Sequence, residues 1–244
     1  MFCFRVTLLL LTIAAAGLLP WQGLAPHAGA SAPNDAANLV APPEIHMPQY
    51  KPRMESGPRA RIGGQSRAAE TGDPLLIALV PDHIAFTIKM DPALCWYLSM
   101  HTSRPITVTV VDSRGIRPIL EQSIPSPVDA GIHCTRPREY GIEFKEQESY
   151  RWFVTLVVDP ERPSRDVVAG GVIERLSLDE ACALDMPCTW TACSRDAIYR
   201  YSESGLWYDA ISCLLELIEQ DGNNATLRTM LRHLLNQSGV YWPG

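Results

Sequence analysis

Residues 150–176 read YRWFVTLVVDPERPSRDVVAGGVIERL. Tyr150, Trp152, Val154, Leu156 and Val158 fall two apart, which places them on one face of a β-strand. The alternate positions, Arg151, Phe153, Thr155, Val157 and Asp159, are mixed in character. A strand of this kind lays one face on a core and leaves the other partly wet. Asp159 to Ser164 is turn chemistry, with Pro160 and Pro163 removing donors from the ladder. The chain then returns from about Arg165 to Leu176. Gly170 and Gly171 interrupt that return strand, at a bulge or at a close backbone approach. The middle of the chain is expected to be organised around this hairpin.

Working back from it, short strands follow one another. Leu75–Val80 is an apolar run closed by Pro81, His83–Lys89 alternates weakly, and Ala93–Ser99 is apolar and aromatic. Ile106, Val108 and Val110 alternate with threonines. Ser113-Arg114-Gly115 is a tight turn into Ile116–Ile124, where Pro118 marks an edge or bulge. Ile132–Cys134 and Ile142–Phe144 are further short strand candidates. Residues 74–176 are therefore expected to form an antiparallel β-sandwich of immunoglobulin-like type.

Working forward, the period becomes helical across residues 177–244. Asp179–Leu184 is a helical turn and Ala192–Glu203 a helix ended near Gly205. Trp207, Ile211, Leu214, Leu215 and Ile218 form one apolar stripe, closed by Asp221-Gly222 as a glycine cap. Leu227, Met230, Leu231, Leu234 and Leu235 form a second, with Asn223 or Asn224 as N-cap. Charged positions such as Glu216, Glu219 and Arg232 are expected on the outer face. The fold class is thus mainly β with α, a sandwich followed by a C-terminal helical hairpin resembling one tetratricopeptide-type pair. One such pair is not stable as a solenoid alone, so it leans on the sandwich.

Met1 to Ala30 combines Arg5, the apolar run Val6–Leu19 and the small-x-small site Ala28-Gly29-Ala30. This is the order of a secretory signal peptide, and the run is short of the roughly 20 residues a membrane span needs. No later run is long enough to span a bilayer. Ser31 to about Asp73 is rich in Ala, Pro, Gly and Arg and reads as a disordered or loosely draped linker. Removing Arg5 with the leader leaves 20 basic residues against the 27 acidic ones. That balance argues against a nucleic-acid partner.

Six cysteines follow the leader: Cys95, Cys134, Cys182, Cys188, Cys193 and Cys213. An even number in an exported chain makes all six disulfide candidates, with connectivity open. Cys182, Cys188 and Cys193 are separated by five and four residues, looser than common zinc spacings. His133 beside Cys134 invites a Cys–His nucleophile, but an exported Cys is more often oxidised. Asp159, Glu161 and Asp166 offer oxygen ligands for Ca²⁺, opposed by Arg162 and Arg165 among them. Trp96, Trp152 and Trp207 read as core anchors. No phosphate-cradling loop, nucleophile elbow, HExxH or CxxC is present. No catalytic, cofactor-binding or metal residue is assigned, and no cofactor is expected.

Several motifs occur together in a fixed order. Tyr50-Lys51-Pro52-Arg53, then Pro58-Arg59-Ala60-Arg61 with Gly63-Gly64 and Arg67, resembles the basic lead-in of the domain of unknown function 928 family. Ala78-Leu79-Val80-Pro81, Tyr150-Arg151-Trp152 with Asp159-Pro160, and Gly171-Val172-Ile173-Glu174-Arg175 resemble its β core. Gly205-Leu206-Trp207-Tyr208-Asp209-Ala210 resembles its helical tail. The resemblance implies an exported bacterial protein of a family prominent in cyanobacteria. That family has no assigned activity, so no catalytic residue carries over.

The functional expectation is an exported periplasmic, cell-surface or extracellular module that binds a protein or a cell-envelope component. The alternatives are an envelope-acting carboxylate-based hydrolase and a secretion or assembly accessory. A concave pocket holding convergent carboxylates or a His would favour the enzyme, and a flat apolar patch the binding module.

Overall fold

The computed structural model describes residues 46–53, 59–63, 73–115, 117–183 and 192–243. The leader segment 1–30 lies outside them.

The hairpin of the opening stretch is β8 (Ser149–Leu156) and β9 (Val167–Arg175), paired antiparallel from Ser149↔Glu174 to Leu156↔Val167. Tyr150, Trp152, Val154 and Leu156 are all buried, as the two-residue period requires. The register crosses Gly170 and Gly171 without a bulge, so of the two readings the close approach holds. A Cβ on Gly170 would sit 2.2 Å from the Trp152 carbonyl oxygen, and one on Gly171 would sit 2.7 Å from Val80. Hydrogen there is what lets β9 lie between β8 and the chain around Val80.

Seven further strands complete two sheets: β1 (Ile62–Gly63), β2 (Leu76–Ala78), β3 (Ala85–Thr87), β4 (Leu94–Leu98), β5 (Ile106–Asp112), β6 (Pro118–Ile124) and β7 (Gly131–Thr135). One sheet runs β1-β9-β8-β5-β6, with β3 added parallel to β9; the other runs β2-β4-β7. All pairings but β3 with β9 are antiparallel. Pro118 lies on edge strand β6, where the register with β5 shifts between Val110 and Val111. A residue without an N–H is tolerated at such a place. Ile142–Phe144 is not a strand. Phe144 is buried and donates its N–H to the Met90 carbonyl, so the apolar spacing there reflects burial without a ladder.

Four helices follow. Ser177 and Glu180 form a reciprocal capping box at the start of α1 (Leu178–Cys182). Ser194 caps α2 (Arg195–Glu203), and Asn224 caps α4 (Ala225–Gln237). Between them runs α3 (Trp207–Gln220). Gly222 does not close α3 in a left-handed conformation; Gly205 (φ 74°) and Gly239 (φ 70°) take that role after α2 and α4. The Asp221–Asn224 turn runs straight into the next N-cap and leaves no place for a glycine cap.

The helices share one apolar core with the sheets. Trp96, Trp152 and Trp207 are among the largest fully buried side chains. The Trp207 indole N–H donates to the Leu79 carbonyl at 2.9 Å, and the Trp152 indole to the Tyr208 hydroxyl at 2.8 Å. Trp152 and Trp207 therefore bury their area and still satisfy their donors, whereas the buried Trp96 indole N–H has no hydrogen-bond partner.

Two segments of the stretch expected to be a linker belong to this body. Ile62–Gly63 pairs with β9, and residues 46–53 form a strap across the helices. The Tyr50 N–H donates to Gln237 Oε1, the Lys51 N–H to the Ser202 carbonyl, and Arg61 to the Gly239 carbonyl. Tyr50 packs edge-on against Trp207 and its hydroxyl meets His83 Nε2 at 2.9 Å. Low hydrophobicity hid this, because the strap is held by backbone bonds and a few rings rather than by an apolar stripe.

Candidate functional site

The groove to which the helices and the smaller sheet both contribute has a volume of about 870 Å³. Ser212, Leu215, Glu216, Ile218 and Glu219 of α3 form one wall, with Arg228 and Leu231 of α4. Ile132, His133 and Cys134 of β7 form the other, and Arg136, Glu139 and Trp242 close the ends. The helical period explains the first wall. Positions Ser212, Leu215, Glu216 and Glu219 recur at three and four residues and so share a face of α3. Glu216 and Glu219 line this groove rather than a plain outer face, and Arg232 lies over the Trp242 ring at 5.9 Å.

Two polar atoms in the groove lining are buried without a hydrogen-bond partner: Ser212 Oγ and Trp242 Nε1. Buried polar groups are rarely left unpaired, and each such orphan costs of order 1–3 kcal/mol. Apolar Leu215, Ile218, Leu231 and the Trp242 ring line the same space, with three carboxylates and two guanidiniums around them. This is the mixture of an apolar bed with a few polar anchors that ligand sites present.

The cysteines resolve in part. Cys95 and Cys134 are bonded across directly paired positions of β4 and β7. Cys134 is therefore no nucleophile, and His133 Nε2 bonds the Asp129 carbonyl oxygen at 2.8 Å. Cys182 is also disulfide-bonded, and Cys188 lies outside the described residues. Cys193 and Cys213 carry thiols and lie close enough to act on one another. Among the described residues, no three His, Cys, Asp or Glu side chains are grouped to hold a metal ion. In the hairpin loop, Asp159 lies 3.8 Å from Arg162 and 3.9 Å from Arg165, and Asp166 accepts the Val158 N–H. These carboxylates are thus engaged by the loop itself.

A second polar constellation escaped the sequence reading. Asp209, in the first turn of α3, is wholly buried and accepts the Ile88 N–H at 3.2 Å. Burial pushes its carboxyl up to about 6, while the Lys89 charge and Thr87 hydroxyl draw it down. The available signal was one acid inside a helix segment, 206–215, that is otherwise almost apolar all round. His83, against Tyr50, is lowered by its own burial, with Asp82 acting the other way.

A family model described as Domain of Unknown Function (DUF928) matches residues 62–241. No curated protein and no solved structure matches the chain. The matched span includes both sheets, all four helices and every groove residue named above except Trp242. It takes in well over half of the sequence, and the chain accordingly belongs to the domain of unknown function 928 family.

Proposed function

We propose that this protein is an exported, non-enzymatic binding module of the cell envelope, and that the groove beside α3 is its recognition site. The observation that carries the reading is the make-up of the groove, an apolar bed of Leu215, Ile218, Leu231 and the Trp242 ring bordered by three carboxylates and two guanidiniums. A protein segment or envelope component would lay apolar groups on that bed and charged groups against its border. The leader-like residues 1–30 and the bonded cysteines support export to an oxidising compartment. No helix among the described residues is long and apolar enough to cross a membrane.

The strand order supports the immunoglobulin-like form of the sandwich. β2-β4-β7 lies in one sheet and β9-β8-β5-β6 in the other, with the leading segment divided between β2 and β3. The α2–α3 pair, joined at Gly205, supports the tetratricopeptide-type likeness.

Glu139, Glu216 and Glu219 in one groove favour a second reading, a carboxylate-based hydrolase. Glu139 and Glu219 are exposed, and Glu216 is half-buried. A general acid on a glycosidic or acyl leaving group needs a desolvated carboxyl, and exposed acids suit ligand capture better.

The test places a photo-crosslinking residue at Leu215 in the groove or at Glu121 on edge strand β6, in living cells. A discrete adduct from position 215 and none from 121 supports the groove as recognition site. Equal labelling from both, or none from 215, overturns it. Intact mass from the native envelope should lack residues 1–30, and their retention would overturn export with leader cleavage. Release of soluble fragments from purified envelope polymer, abolished in Glu216→Gln, would establish the hydrolase instead.

A further inference from the structure

We propose that Cys193 and Cys213 form a reversible thiol–disulfide pair that closes on meeting an external disulfide. Cys213 lies on α3 and is 0% exposed; Cys193, half-buried, directly precedes the Ser194 cap of α2. Cys213 Sγ stands 3.9 Å from the carbonyl oxygen of Ser194, the residue next to Cys193, and each thiol is the leading influence on the other. Both elements are anchored at this contact, by the Ser194 cap on one side and by the packed core around Cys213 on the other. Two sulfurs held together in this way need little backbone movement to join.

The surroundings divide the roles. The influence of Cys193 holds the Cys213 thiol below its ordinary range, and Lys89 pulls the same way. Cys213 and burial hold Cys193 above its own range, and the Glu216 carboxylate lies within hydrogen-bond reach of it. Cys193 is the more accessible sulfur, and Cys213 the better formed thiolate.

The chemistry balances with an external disulfide, R–S–S–R, as oxidant. Cys193 gives its proton to solvent as its sulfur attacks one sulfur of R–S–S–R. The outer S–S bond breaks, R–S⁻ leaves, and it takes up that proton. Cys213 thiolate then attacks the Cys193 sulfur and expels the second R–S⁻, which is protonated by the proton Cys213 gave up. Two protein thiols are oxidised to one disulfide and one external disulfide is reduced to two thiols. The Cys95–Cys134 bond and the bonded Cys182 are consistent with a compartment that supplies such disulfides.

The test exposes the full purified chain to oxidised glutathione, quenches with acid, alkylates under denaturing conditions and maps the peptides. The expected result is a linked peptide pair carrying Cys193 and Cys213, without glutathione, restored to two alkylated thiols by dithiothreitol. In Cys213→Ser, Cys193 should retain glutathione, because no second thiolate displaces it. Alkylation of both thiols in the oxidised parent overturns the proposal. So does glutathione retained on parent Cys193, or linkage of Cys193 to any cysteine other than Cys213. Should Cys213→Ser fail to fold, the parent map alone decides.

Discussion

At the scale of single residues, Trp207 and Asp209 stand two positions apart on α3 and act in opposite senses. Trp207 is 0% exposed and donates to the Leu79 carbonyl. Trp207→Ala removes that ring area and leaves a buried acceptor alone, so it should cost about 3–5 kcal/mol in a denaturant melt. A variant that melts like the parent would show that the ring does not brace the helix. Asp209 is raised to about 6 from an ordinary value near 4, so the folded state holds its proton more tightly than the unfolded chain. The stability this gives is present below about pH 4 and is lost as pH rises through about 6, roughly 3 kcal/mol at most. Asp209→Asn should flatten that part of the curve in melts between pH 4.5 and 7.5; an unchanged slope would assign it to other groups. Trp207 was legible because a large ring sat on an apolar stripe. The Asp209 constellation was not, because Thr87 at the end of β3 and Lys89 just after it lie more than 100 residues away.

At the scale of elements, the two-residue period carried the hairpin almost to its ends. β8 and β9 stop within a few residues of the expected bounds, since the two prolines of the turn punctuate them. The start of α4 was legible for a similar reason, with Asn224 as its cap, whereas α2 begins at Arg195 after the Ser194 cap rather than at the expected Ala192. The pairing of sheets and of sulfurs was not legible, because either depends on register between distant strands. The Cys95–Cys134 bond closes a loop with a sequence separation of 39 residues. In the chain-entropy model a bridge of that span is worth about 4 kcal/mol. Replacing both cysteines with serine should lower the urea midpoint, with a steeper slope against urea because the unbridged denatured chain exposes more surface. An unchanged midpoint would mean that the ladder alone holds β4 to β7.

At the scale of the whole molecule, the groove was not legible at all. Its walls come from β7, the turn after it, two helices and the last residues, and no local pattern brings these together. The β and helical halves were legible in their change of period. What the change of period concealed is that the halves are bound by the strap. Tyr50 reaches Gln237, Gln49 reaches His233 and Arg61 reaches Gly239, partners 178 to 187 positions apart along the chain. Contacts of such separation close the largest loops in the fold and repay their entropy last. The strap leaves the ribosome among the first residues and waits for α4, almost the last element, before it has anything to hold. Tyr50→Ala should therefore quicken unfolding in stopped-flow measurements while leaving the refolding rate nearly unchanged; slowed refolding would place the strap in the folding nucleus instead. Its late docking makes the clasp of Gln49, Tyr50 and Arg61 on the 233–239 segment a completeness check: a chain cut short before α4 has no His233, Gln237 or Gly239 to hold them.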